Sequence, residues 1–179
     1  MLKIQTPLTD DVVRSLKVGD EVAISGFVYT ARDAAHKRLC KLIADGKELP
    51  IDLKGAVIYF VGPTPARPGR PIGSAGPTTS ARMDGFSPML LAAGLKAMIG
   101  KGERNDAVRD ALKKYVAVHF AALGGAGALL SQYIVSSEII AYEDLGTEAI
   151  RKLEFKDFPA IVAYDCFGNT CFKKSIISS

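Results

Sequence analysis

The segment Gly76-Pro77-Thr78-Thr79-Ser80-Ala81-Arg82-Met83-Asp84 gathers hydroxyls and an arginine where a loop is expected to open into a helix. Free N–H groups at a helix N-terminus point at whatever lies before it, and the aligned peptide dipoles favour negative charge there. Thr78 and Arg82 stand four apart, so a helix beginning near Thr78 would set both side chains over one turn. A guanidinium fork in that position matches a carboxylate bidentately. The chemistry suggested is capture of an acidic small molecule.

Two further cations sit at the ends of expected strands, where ligand sites on α/β sheets form. Arg32 follows the alternating, β-branched run Glu21 to Ala31, and Lys101 follows the apolar Ala97-Met98-Ile99-Gly100. Taken singly, Arg32 or Lys101 reads as a solvated side chain, and Thr78 or Thr79 as a plain N-cap. Their shared placement at element ends is what suggests a site, and three cations with one hydroxyl would suit a dicarboxylate. His36, one helical turn beyond Arg32, is either a helix-surface residue or a group that orients Arg32 or touches substrate. His119, within the apolar VAVHF, reads as a core residue. Two distant histidines make no recognisable metal site, and the spacing of Cys40, Cys166 and Cys171 is not diagnostic of one. Those thiols read as structural or incidental. Gly124-Gly125-Ala126-Gly127 lacks the spacing of a nucleotide-binding loop, so close packing of small residues is the expectation there.

The elements that must carry these residues follow from periodicity and punctuation. Thr9 or Asp10 caps one short helical turn, and a helix is expected over Arg32 to Ala44 with Ala35, Leu39, Leu42 and Ile43 on one face. A strand over Ala56 to Val61 leads into Gly62 to Gly76, dense in proline and glycine. That stretch is either an interdomain linker or an ordered loop. Its apolar Ile72, and its lead into the anion-binding segment, favour the loop. One helix is expected from about Thr79 to Leu95, and another from Asp106 to Tyr115 behind an Asn105 cap. Strands follow at Val116 to Ala122, Ser137 to Tyr142, Leu153 to Phe155 and Ala160 to Asp165, with a turn at Gly168-Asn169. Helices alternating with strands, then strands alone, make an α/β class with helices packed on a central mixed sheet.

The 179 residues suit one domain over 1–179, large enough for a core without staples. A net charge of +4 slightly favours anionic ligands. The basic residues are dispersed apart from Lys173-Lys174, and without tryptophan no stacking face for nucleic acid is expected. No apolar run reaches membrane-spanning length. The first residues, MLKIQTPLTDDVVRSL, hold early acidic residues and no apolar core, so neither membrane nor signal peptide is expected and the cytoplasm is the default location.

Several stretches together resemble one family: the β subunit, or C-terminal domain, of iron–sulfur-dependent class I fumarate hydratases, which also includes tartrate dehydratase β subunits. They are Tyr29 to Lys37, Pro50 to Pro65, Gly73 to Asp84, Ile99 to Arg104, Leu123 to Ala128, and Leu145 to Ile150 followed by DFPAI. The resemblance runs from about Gly19 to Asn169, and GPTT-x-x-RMD followed by KG-x-R is its most specific part. Ala31, Ala81 and Glu103 depart from the commoner pattern without removing a functional side chain.

The resemblance implies a swivelling β/β/α-type domain docked on an α subunit, in an α2β2 assembly or on a β homodimer. That partner would hold a [4Fe–4S] cluster not bound by this chain. It further implies that Thr78 abstracts a proton while Arg32, Arg82 and Lys101 bind the substrate carboxylates, with His36 and Asp84 in support. The implied reaction is hydration of fumarate to malate, with tartrate to oxaloacetate as the alternative. A non-catalytic anion-binding or assembly module using the same pocket is the competing class.

Overall fold

The computed structural model describes residues 1–124 and 126–172; Gly125 and the Lys173-Lys174 pair lie outside them. The elements run β1 (Leu2–Gln5), α1 (Asp10–Ser15), β2 (Glu21–Thr30), α2 (Asp33–Ala44), β3 (Val57–Tyr59), α3 (Ser87–Ala92), β4 (Ala97–Gly100), α4 (Asp106–Lys114), β5 (Val118–Ala122), α5 (Gly127–Leu130), β6 (Ile134–Ala141) and β7 (Ile150–Tyr164). Thr9 and Asn105 cap α1 and α4 as expected, each side chain accepting from an N–H three residues on.

Seven strands form one mixed sheet in the order β1-β2-β3-β4-β5-β7-β6. β1 to β5 are joined by parallel pairings, while β7 runs antiparallel to β5, β6 and β2. Because β7 pairs with both β5 and β2, the strands β2, β3, β4, β5 and β7 close into a barrel. The central strands β3 and β4 are buried on both faces and read as continuous apolar runs, while β1 and β6 at the edges are largely exposed. Ile58, Phe60 and Met98 pack outward under Ala35, Leu39, Leu90, Leu91, Val108 and Leu112 of α2, α3 and α4. Their neighbours Val57, Tyr59, Ile99, Val118 and Phe120 join Phe155 and Phe158 in a second cluster.

Two expectations are corrected. The segments Leu153 to Phe155 and Ala160 to Asp165 are parts of one 15-residue strand, β7. Asp157 and Pro159 look like turn residues, yet Asp157 (φ 53°) is absorbed where the β2–β7 register slips between Ile24 and Gly26. Ser25 Oγ accepts the Asp157 N–H at 2.9 Å, so the bulge bends the strand without ending it. The second correction concerns Thr79 to Leu95. A 3₁₀ turn spans Ser80–Met83, and α3 begins only at Ser87. Pro88 suits the first turn of a helix but not its interior, which separates the two pieces. Thr78 lies outside that turn and Thr79 makes no side-chain cap, so a long helix N-terminus is not what faces the site.

The proline-rich stretch is an ordered loop. Thr64 N donates to Ser74 O at 3.0 Å, Ser74 N to Thr64 Oγ1 at 2.7 Å, and Ala75 N to Gly127 O at 3.1 Å. The Tyr59 hydroxyl also donates to Ala75 O, and Ile72 and Ala75 are buried in the core. Gly127 packs so closely that an added Cβ would lie 2.3 Å from Ser74 Oγ and 2.7 Å from Gly76 N, the close approach expected of small residues there.

Candidate active site

Register places the site. Thr30 pairs with Tyr59 and Tyr59 with Ile99, so the C-terminal ends of β2, β3 and β4 lie in one row. Arg32 leaves the first and Lys101 the third, with their backbones about 10 Å apart at ordinary strand spacing. Thr78 is threaded between them: its N–H donates to Phe60 O at 2.7 Å, and its carbonyl accepts from Lys101 N at 3.4 Å. Ser80 N then donates to Lys101 O at 2.8 Å, and a parallel bridge joins Thr79 to Lys101. The topology thus brings Arg32, Thr78 and Lys101 to one edge of the barrel. Thr78 and Arg32 are partly exposed, and Lys101 is exposed.

Arg32 is the N-cap residue of α2, and its side chain lies along Gly62, the residue after β3's extension. A Cβ built on Gly62 would meet Arg32 Cδ and Nη1 at 3.1 Å each, and Thr147 O at 3.2 Å. Gly62→Ala is therefore expected to displace the guanidinium by tenths of an ångström while leaving the chain folded. An unchanged circular dichroism spectrum and only a small fall in melting temperature check that expectation.

Arg82, expected to be free for ligand, is half committed. Its Nε and Nη2 donate to Asp33 Oδ2 at 3.0 and 2.6 Å, a pair open to solvent. Nη1 makes no hydrogen bond among the described residues. Asp33 was not singled out from the sequence, because an acidic first-turn residue after an N-cap ordinarily serves only the helix dipole. His36 is fully buried, which overturns its reading as a helix-surface residue. It packs edge-on against Phe60 (5.3 Å between centroids) and beside Phe86. Its Nδ1 lies 2.8 Å from Arg32 O, and burial pushes its pKa down to about 4, so the ring is neutral. Among the described residues, the buried Arg32 Nε, Asp33 Oδ1 and His36 Nε2 of this one helical turn have no hydrogen-bond partner, nor do Tyr142 Oη and Arg151 Nε elsewhere. Buried polar atoms are seldom left so, and a cluster of them calls for a polar ligand or water.

Asp84 is bound to the segment after β4. Its carboxylate accepts from Arg104 Nε at 2.6 Å and from Asn105 N at 3.0 Å, tying the end of the 3₁₀ turn to the segment after β4. Arg104, the last residue of KG-x-R, is 7% exposed and also reaches Ser87 Oγ, Met98 Sδ and His119 Nδ1. His119 is a core residue as expected, but not a bystander: its Nε2 lies 3.2 Å from Ser80 Oγ. Only proximity to Lys101 and a matching motif could have drawn attention to Arg104, since arginine is rarely buried. Among the described residues no group of three His, Cys, Asp or Glu side chains could hold a metal. Cys40 donates to Phe86 O, Cys166 lies near Val13 O, and Cys171 is exposed, so the thiols do not offer a cluster's ligand set.

The chain is a closed mixed barrel with cations and a hydroxyl at the carboxyl ends of its parallel strands, where α/β scaffolds place ligand sites. Residues 1–175 match the family model described as Fumarase C-terminus, and the chain belongs to that family. It is 39% identical over 161 residues to "Fumarate hydratase class I, anaerobic" of Escherichia coli (strain K12), covering 89% of this chain and 29% of that protein. It is 33% identical over 178 residues to "Fumarate hydratase 1, mitochondrial" of Leishmania major, covering 97% of this chain and 32% of the relative. A third relative, "Putative L(+)-tartrate dehydratase subunit beta" of Methanocaldococcus jannaschii, is 36% identical over 173 residues, covering 93% of this chain and 89% of its own length. The chain therefore spans under a third of the two fumarate hydratases. Both named activities are those of hydro-lyases. Among the described residues no helix is long and apolar enough to cross a membrane.

Proposed function

We propose that this chain is the β subunit of a hydro-lyase that reversibly hydrates fumarate to (S)-malate. The observation that carries the reading is the set of unpartnered buried polar atoms in the first turn of α2, beside Gly62 and the Thr78–Lys101 pairing. In the dehydration direction, the proton on the carbon beside a carboxylate passes to Thr78 Oγ1, and the C–H electron pair flows toward that carboxylate. Its return forms the C=C bond as the hydroxyl on the neighbouring carbon leaves as hydroxide. The hydroxide takes up a proton to become water, while Thr78 gives its proton back to solvent. Arg32, Arg82 through its free Nη1, and Lys101 bind the two carboxylates. They stabilise the charge that builds in the transition state more than the resting substrate. A threonine oxygen accepts a proton only as an alkoxide. With no long helix N-terminus behind Thr78, the neighbouring cations are what favour that form.

The partner α subunit carries the [4Fe–4S] cluster in this reading, in an α2β2 assembly, and the cluster supplies a Lewis acid when bound. Among the described residues no group of three His, Cys, Asp or Glu side chains is placed to ligate it. Tartrate to oxaloacetate is the second reading, favoured by the relative of matching length named for that activity. Steady-state assays of the chain with and without an α subunit, on fumarate, malate and both tartrate enantiomers, test the proposal. Fumarate hydration by the complex alone is expected. Turnover of tartrate without fumarate selects the second reading, and activity of the pure chain without iron refutes the divided site.

A further inference from the structure

The chain has two histidines, His36 and His119, and both are fully buried on either side of the Phe60 ring. Their partners leave each ring one tautomer. A carbonyl only accepts, so His36 Nδ1 at 2.8 Å from Arg32 O carries the hydrogen. A guanidinium only donates, so His119 Nδ1 at 3.2 Å from Arg104 Nη1 is bare. Burial, reinforced by the Arg104 charge, holds His119 neutral, which puts its one hydrogen on Nε2, facing Ser80 Oγ at 3.2 Å.

We propose that Arg104 and His119 are positioning residues. Arg104 fixes His119 as the Nε2–H tautomer, and His119 donates to Ser80 and holds the Thr78–Arg82 segment against the end of β4. The inference rests on the reading of Thr78 as proton acceptor given above. Ser80 is seated in a space only glycine leaves open: a Cβ at Gly100 would lie 2.1 Å from Ser80 Oγ. The backbone of Ser80 is tied to Lys101 O, so one anchored hydroxyl sets the spacing between Thr78 and Lys101. Asp84 closes the other end by accepting from Arg104 Nε. The other tautomer would aim an N–H at the guanidinium, opposing that contact, and would reverse the Ser80 hydrogen bond so that the hydroxyl donates to Nε2.

Loss of this register falls on turnover before binding. Proton transfer needs hydrogen-bond distance, whereas the attraction of cations for a dicarboxylate weakens only as the inverse of distance. Two measurements test the chain of contacts. The imidazole nitrogens of the 15N-histidine-labelled chain should report two neutral rings in opposite tautomers. In the assembled enzyme, Arg104→Lys and Ser80→Ala should each lower kcat by roughly ten- to a hundredfold while KM stays within about threefold.

Arg104→Lys should also blur the His119 tautomer, and Ser80→Ala should leave it intact. Ser80→Ala keeps the Arg104–His119 contact and decides the matter if Arg104→Lys fails to fold. A hydrogen on His119 Nδ1 in the unaltered chain, an undiminished kcat in Ser80→Ala, or a loss carried by KM alone overturns the inference. A wild-type complex inactive on fumarate, malate and tartrate sinks instead the functional reading, and the catalytic half of this one with it.

Discussion

Thr78→Ala in the assembled enzyme is expected to lower kcat for fumarate hydration by roughly 10²- to 10⁴-fold, the range of a lost general base, with KM nearly unchanged. The asymmetry follows from how Thr78 is held. Its own hydroxyl takes no part: the N–H bond to Phe60 O and the bond from Lys101 N to its carbonyl survive the substitution, as does the Ser80–His119 contact. No side-chain hydrogen bond of Thr78 is lost with the hydroxyl among the described residues, so folding and docking should be unaffected. Arg32, Arg82 and Lys101 remain to bind carboxylates, which is why affinity should persist. Thr78→Ser keeps the oxygen and should recover most of the rate. Full turnover by Thr78→Ala, in a complex that assembles normally, would show that catalysis does not reside on this chain and would favour an anion-binding or assembly role.

How the site was legible depends on the range of the physics involved. The placement of Arg32 and Lys101 at strand ends was readable because each follows an apolar, strand-like run. The Asn105 cap and the Gly168-Asn169 turn were readable because each is decided within a few residues. Barrel closure was not, since it depends on β7 pairing at once with β2 and β5, and nothing local in Ile150–Tyr164 marks that reach. Asp157 and Pro159 even argue locally against one strand. The short β1, mostly exposed at an edge, carried no periodic signal either. The helix expected over Thr79 to Leu95 is interrupted at Gly85 and Pro88, both poor interior helix residues, and Ser80 and Asp84 are held instead by His119, Arg104 and Asn105. Asp33's grip on Arg82 and the burial of His36 likewise arise from elements distant in sequence. Residue types named the candidate cations; tertiary contacts decided which are free.

Arg104→Met should be among the most destabilising single substitutions in the chain, by about 3–5 kcal/mol, the usual cost of leaving one member of a buried ion pair alone. Asp84 Oδ1, 2.6 Å from Arg104 Nε, would keep its charge with its side chain only 11% exposed. Ser87 Oγ and His119 Nδ1 would lose their donor at the same stroke. Methionine fills much of the volume and can rest on Phe60, where the guanidinium now lies 5.2 Å from the ring centroid, so lost packing is the smaller part. For a chain of this size the loss corresponds to a fall in Tm of roughly 10 °C. Thermal denaturation of the chain measures it. Adding Asp84→Asn should return part of the loss by removing the stranded charge, a coupling a double-mutant cycle reads directly. If Arg104→Met melts within a degree or two of the unaltered chain, the guanidinium is not holding the two segments together. Thr78 and Lys101 would then owe their spacing to the backbone pairing alone.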